Sequence, residues 1–111
     1  MRDAFQDRKR VEEARLSHDR NFTFRIKARR DRLVGLWAAG LMGMAGGGGE
    51  AYARALAKDG AMSCCEDDLV RRLLADFAAR EVHMTEGRLR IRIAKLTEEA
   101  KAQLMSGPAA L

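Results

Sequence analysis

Hydrophobic positions along the chain change spacing and density in a way that divides it. Between residues 22 and 44, Phe22, Ile26, Leu33, Trp37, Gly40 and Met44 fall at separations of three, four or seven, the signature of one helical face. The run Leu33–Ala45 is apolar all round, as where a helix is enclosed by others. Gly46 to Gly49 then end it, because a glycine run caps a helix and does not propagate one. Upstream the pattern thins. Ala4, Val11, Ala14 and His18 make a narrow stripe, and Phe5 and Leu16 a second; neither is wide enough to anchor a helix in a core.

Three more helices follow from the same reasoning, at about 50–58, 64–82 and 85–105. Tyr52 and Leu56 share a face in the first, which Asp59-Gly60 stops. Ser63 to Glu66 reads as a capping box before the second, and Glu66, Asp67 and Asp68 suit the positive end of its dipole. Its stripe is Leu69, Val70, Leu73, Leu74, Phe77 and Val82. Thr85 caps the last helix, with Leu89, Ile93, Leu96, Ala100 and Leu104 inward. Arg88 to Ile93 alternates like a strand, but the continuation through Leu104 favours a helix. Gly107-Pro108 closes the pattern, leaving 107–111 as a frayed tail. The fold class is all-α, with a body at 20–106 and helices at about 20–44, 50–58, 64–82 and 85–105.

Length makes the first helix unusual. No proline interrupts residues 7–44, which as one helix would run about 55 Å at ~1.5 Å per residue. A compact chain of this size has a diameter of roughly 35 Å. Residues 1–19 must therefore project from the body or be mobile. Alone they are a marginal helix, of the kind that orders on a partner; the plainer alternative is a frayed, solvated terminus.

Charge is uneven as well. Of 21 Lys and Arg and 16 Asp and Glu, residues 1–32 hold 11 basic and 6 acidic, so the whole surplus of five lies there and residues 33–111 are neutral. The arginines at 25, 29, 30 and 32 could meet phosphates, yet no recognition-helix motif accompanies them and acidic neighbours dilute their field. A protein-binding or solvated face is preferred, and no nucleic-acid partner is expected. The longest apolar stretch, 13 residues, is short of the roughly 20 a membrane span needs, so no membrane insertion is expected. No signal peptide opens the chain, and the adjacent Cys64 and Cys65 offer no disulfide framework, which together indicate a cytoplasmic protein.

Candidate chemistry is sparse. Gly46–Gly49 lacks the strand before and the Gly-Lys-Ser/Thr after that a phosphate loop needs, and reads as a linker. Cys64, Cys65 and His83 match no zinc spacing, so no metal is expected. His18 and His83 have no nucleophile placed beside them, and no catalytic residue is assigned; the chain reads as a binding protein, not an enzyme.

One pattern is specific: Phe5, Asp7-Arg8, Arg10, Glu13-Ala14, His18-Asp19, then Ala28-Arg29-Arg30, Arg32-Leu33, Gly35, Trp37-Ala38-Ala39-Gly40-Leu41 and Gly43. Ala51-Tyr52-Ala53 and Asp68-Leu69-Val70-Arg71-Arg72-Leu73 with Ala75-Asp76 continue it. It resembles the zeta subunit of the alphaproteobacterial F-type ATP synthase over nearly the full chain. The resemblance implies a four-helix bundle whose N-terminal segment blocks ATP hydrolysis by F1. That segment is mobile when free and becomes helical on wedging into a catalytic alpha/beta interface beside the gamma subunit.

Carried over, the inhibitory segment is about Arg2 to Asp19, with Phe5, Asp7, Arg8, Arg10, Glu13, Ala14 and His18 its partner-binding residues, and Val11, outside the motif, joins them by its place on the arm. Phe5 and Val11 would supply apolar contact and Arg8 and Arg10 charge pairing. Ala28, Arg29, Arg30 and Trp37 would join arm to bundle. The implied partners are the alpha, beta and gamma subunits of F1, at the cytoplasmic face of the inner membrane, with the free protein monomeric. Some family members also bind adenine nucleotides. No cofactor is required, and weak ATP or ADP binding on the bundle is implied without residues to carry it. The alternative reading is a nucleotide-sensing regulatory bundle with a vestigial arm, motivated by the Gly-rich loop and the Arg-rich first helix. The Gly46–Gly49 loop, Val11, Glu12 and Leu16 depart from the family pattern.

Overall fold

The computed structural model describes residues 2–44, 46–62 and 65–106, with their side chains at 21–44, 46–60 and 65–106. Within these residues the chain forms four helices, α1 Arg2–Leu41, α2 Gly47–Met62, α3 Glu66–Ala79 and α4 Glu86–Met105. They make a four-helix bundle with a long first helix. At 40 residues, α1 is about 60 Å long, and the molecule measures 61 × 29 × 22 Å. The other helices have 14 to 20 residues, so α1 runs far past the bundle they form.

The core lies at the C-terminal end of α1. It joins Val34, Ala38 and Met42 to Leu56 of α2, Leu69, Val70, Leu73 and Phe77 of α3, and Leu89, Ile93 and Leu96 of α4. Each large aliphatic or aromatic member contributes about 1.5–3 kcal/mol by leaving water. In α3 and α4 the buried residues are Leu69, Val70, Leu73 and Phe77, and Leu89, Ile93, Leu96 and Ala100, as the spacing puts them, while Leu74 and Leu104 are half-buried and Val82 lies past the end of α3. In α1 the inward face is turned by about one residue: Asp31, Val34, Gly35, Ala38, Ala39 and Met42 are buried, while Phe22, Ile26, Leu33, Trp37 and Met44 are half-buried and Gly40 is exposed. A segment apolar on every side does not select its own face; close approach does. A side chain at Gly35 would meet the Ala53 Cα at 2.6 Å, so the smallest residues of α1 face α2.

The helix ends also differ from expectation. Gly43, not the Gly46–Gly49 run, ends α1: it takes φ +77°, with Met44 N–H donating to Ala39 O (2.9 Å) and Gly43 N–H to Gly40 O (3.3 Å). That is a Schellman stop, which needs one residue in the left-handed region. Gly47 to Gly49 instead open α2, where Gly49 is buried and a Cβ on it would touch the Ala39 Cβ at 3.6 Å. Glycine costs little in a first turn, whose amides have no helical partner. The helix then passes through Asp59-Gly60 to Met62, because Gly60 packs on Asp31 and leaves no room for a side chain.

Ser63 of the expected capping box lies outside the described residues. The N-cap of α3 is Cys65, without a side-chain capping bond, and Glu66 binds Arg90 (3.0 Å). Helix α3 stops at Ala79, short of Val82, in a second Schellman turn with Val82 N–H donating to Phe77 O (2.8 Å). Glu81 holds its left-handed position, φ +59°. Thr85 caps α4, its hydroxyl accepting from Arg88 N–H at 3.2 Å, and Arg88 to Ile93 is helical. The 107–111 tail lies outside the described residues.

Candidate functional site

Phe5, Asp7, Arg8, Arg10, Val11, Glu13, Ala14 and His18 all fall on the N-terminal half of α1. This half shows helical backbone continuous with the bundle helix, and its side chains lie outside the described residues. Of the α1 side chains from Asn21 onward, none is fully buried before Asp31. The stretch from Asn21 to Arg30 therefore forms a transition, exposed or half-buried, between arm and core.

Two of the four junction residues grip the other helices of the bundle. Arg29 donates from Nη1 to Gln103 Oε1 of α4 at 3.1 Å. Trp37 meets Phe77 of α3 edge to face, ring centroids 5.9 Å apart at 77°, and Arg92 of α4 lies over its indole at 5.5 Å. Such contacts are each worth about 0.5–1.5 kcal/mol beyond area burial. Arg30 pairs with its own neighbour, Arg30 Nη2 to Asp31 Oδ1 at 2.8 Å. Ala28 is exposed and sits beside Arg32, Arg54 and Ala57 on the outer α1–α2 surface. The geometry thus fixes the direction in which α1 leaves the bundle.

Asp31 was not anticipated, and it is the one buried charged side chain among the described residues (1% exposed). Burial pushes its carboxyl above the ordinary 3.8, and the Arg30 charge and hydrogen bond, with Lys27, oppose that. Its Oδ2 lies against Gly60 of α2, so it registers α1 on α2 one turn before the core begins. The available signal was its three-residue step to Val34 and seven to Ala38, visible only once the inward face is known. Around it, Lys27, Arg30, Asp59, Leu69 and Arg72 line a cavity of about 150 Å³. Arg72 pairs with Asp59 and reaches Asp76 (3.5 Å), whose Oδ2 accepts from the Tyr52 hydroxyl at 2.5 Å. Burial, then the Asp76 carboxylate, pushes the Tyr52 phenol up. Opposed charges neutralise one another here and tie α2 to α3.

With these features in place, the comparison with known families is decisive: the chain matches the model of ATPase inhibitor subunit zeta across residues 1–103, arm and bundle together. It belongs to that family. No curated protein matches the chain. Membership supports an ATPase inhibitor role carried out by binding an ATPase, a role that asks for an interface and not for a reaction centre. Among the described residues of this zeta subunit, no helix is long and apolar enough to cross a membrane.

Proposed function

We propose that this zeta subunit blocks ATP hydrolysis by F-type ATP synthase by inserting its N-terminal helix into a catalytic alpha/beta interface beside the gamma subunit. The observation that carries the reading is α1 itself: about 60 Å of helix, of which only the part from Asp31 onward is buried in the bundle among the described side chains. The family match includes that outlying half. Residues 1–19 are themselves neutral, and the basic surplus falls on residues 20–32 at the foot of the arm, where it can steer the approach to an acidic rim and raise association rates.

Inhibition in this scheme is steric. The bundle stays outside as a grip, Arg29 and Trp37 hold the helix at a fixed angle, and the wedged arm stalls rotation without any covalent step. Phe5 and Val11 supply apolar contact, Arg8 and Arg10 pair with carboxylates, and Asp7, Glu13, Ala14 and His18 complete the inserted face. A photo-crosslinking residue at position 11 tests the location. Products with the alpha or beta subunit of F1, lost in the presence of excess unlabelled protein, are expected; products confined to subunits outside the alpha/beta/gamma core would refute the insertion.

ATP or ADP binding on the bundle remains the second reading, with the Asp31 cavity its candidate place. At about 150 Å³ it is smaller than the roughly 300 Å³ at which ligand sites begin, and its cations are matched by carboxylates; the larger cavity beside Ala28, Arg32 and Arg54, about 290 Å³, only approaches that size, and Arg32 there pairs with Glu50. Inhibition through the arm is therefore the better-supported function.

A further inference from the structure

Helix α4 packs one face into the core and leaves two large apolar side chains on the other. Leu89, Ile93, Leu96 and Ala100 point into the core. On the opposite side Ile91 is 73% exposed and Met105 75%, and Ala94, Glu98 and Ala102 between them are exposed as well. Five positions at steps of three, four, four and three share one stripe at 3.6 residues per turn. No other helix of the chain packs on this face among the described residues.

The stripe is palindromic about Glu98. Ile91 and Met105 lie seven residues to either side, Ala94 and Ala102 four, and Lys95 and Lys101 three. We propose that this face binds a second copy of the chain, α4 against α4, antiparallel, with the two-fold axis passing beside Glu98. Such an isologous contact requires a self-complementary patch. Reversing the helix sets Ile91 against the partner's Met105 and Ala94 against the partner's Ala102, where small residues let the backbones approach.

Charge supports the same register. Lys95 and Glu99 flank one side of the stripe and Lys101 the other. A two-fold axis across the helices keeps each flank opposite its own copy. Lys95 then lies two residues, about 3 Å along the axis, from the partner's Glu99, and Lys101 about 4.5 Å from the partner's Glu98. Within one chain Lys101 already reaches Glu98 at 3.3 Å, whereas Lys95 and Glu99 form no ion pair among the described residues. Each copy brings two lysines and two glutamates, so the interface is neutral; the two Glu98 carboxylates face each other at the axis, each with a Lys101 of its own chain (3.3 Å) and one of the partner beside it.

The stripe is one helix wide and about 21 Å long from Ile91 to Met105, less than the roughly 800 Å² per partner of a standard interface. Pairing is therefore concentration-dependent, departing from the expected monomer only at high concentration. It involves neither the arm nor the inhibitory reading, and stands or falls separately.

Sedimentation velocity of the full chain between about 10 μM and about 1 mM, the range of weak association, reads the mass directly. A dimer fraction that grows with concentration, and falls at least tenfold in association constant with Ile91→Lys, is expected. Circular dichroism confirms that this exposed substitution leaves the fold intact. Register is tested by oxidation in a chain carrying Cys64→Ser and Cys65→Ser. Glu98→Cys should cross-link to itself, and Ala94→Cys only when mixed with Ala102→Cys. A single monomeric species throughout overturns the proposal, as does a dimer indifferent to Ile91→Lys or cross-linking without this register. So does a chain that stays monomeric while its Ile91 and Met105 signals shift on adding F1-ATPase, which would assign the stripe to that partner.

Discussion

The contact between α1 and α2 at Gly35 allows one substitution to be tried at two places in the same helix with opposite results. An alanine at Gly35 would set its Cβ 2.6 Å from the Ala53 Cα, 3.0 Å from the Ala53 Cβ and 3.3 Å from the Leu56 Cδ2. Carbon atoms rest about 3.5–4 Å apart, and Ala53 is buried helix backbone that no rotamer can move. The helices must separate by about 1 Å, an overpacking cost of about 1–3 kcal/mol, against about 1 kcal/mol gained in helix propensity. Gly35→Ala should therefore lose up to about 2 kcal/mol. For a body of this size each kcal/mol moves the melting temperature by about 4–8 °C. At Gly40, also in α1, nothing lies within 4 Å of an added Cβ, so Gly40→Ala should gain up to about 1 kcal/mol. Thermal melts followed by circular dichroism at 222 nm rank the two against the parent. A Gly35→Ala chain that melts at or above the parent would refute the close-approach account.

Two further substitutions test local backbone and burial. Glu81 sits at φ +59° in the turn after α3, where a side chain costs about 1 kcal/mol that glycine does not; Glu81→Gly should raise the urea midpoint, and an unchanged or lower one would argue that its side chain stabilises the turn. Asp31 titrates above its ordinary value because of burial, so the folded chain binds its proton more tightly than the unfolded one. The stability this contributes is fully present below the unfolded value and is lost as pH rises through the folded one. Asp31→Asn should accordingly gain on the parent as pH rises above the ordinary carboxyl value of 3.8, measured as urea midpoints; a difference that stays constant, or moves the other way, would contradict the burial account.

How far the sequence could be read depended on how one-sided each segment is. Helices α3 and α4 are polar on the faces that matter for choosing an orientation, so Leu73, Phe77, Leu89 and Ile93 were legible as core from spacing alone. Residues 33–45 are apolar on all sides, and their inward face is decided by Gly35 against Ala53, a contact between helices that no local pattern encodes. The glycines divided in the same way. Gly43 stops α1 by conformation, whereas Gly49 and Gly60 sit in α2 where it lies close to α1. A capping box was legible at Ser63 to Glu66, but Glu66 and Asp67 are drawn instead to Arg90 of α4, 3.0 and 2.7 Å away. Asp31 was hidden among the charges of an arginine-rich stretch. The excess length of the N-terminal segment was legible because it is a sum over residues and needs no tertiary contact to appear.

The bundle and the arm divide the labour in this account: Trp37, Arg29 and Asp31 set where α1 leaves the core, and residues 1–19 meet the ATPase. Hydrolysis by purified F1-ATPase, titrated with the full chain and with a chain lacking residues 1–19, tests that division most directly. Circular dichroism on the shortened chain verifies that its bundle still melts cooperatively. Inhibition by the full chain and none by the shortened one is the predicted result. Equal inhibition by both would contradict the account and move the inhibitory surface onto the bundle.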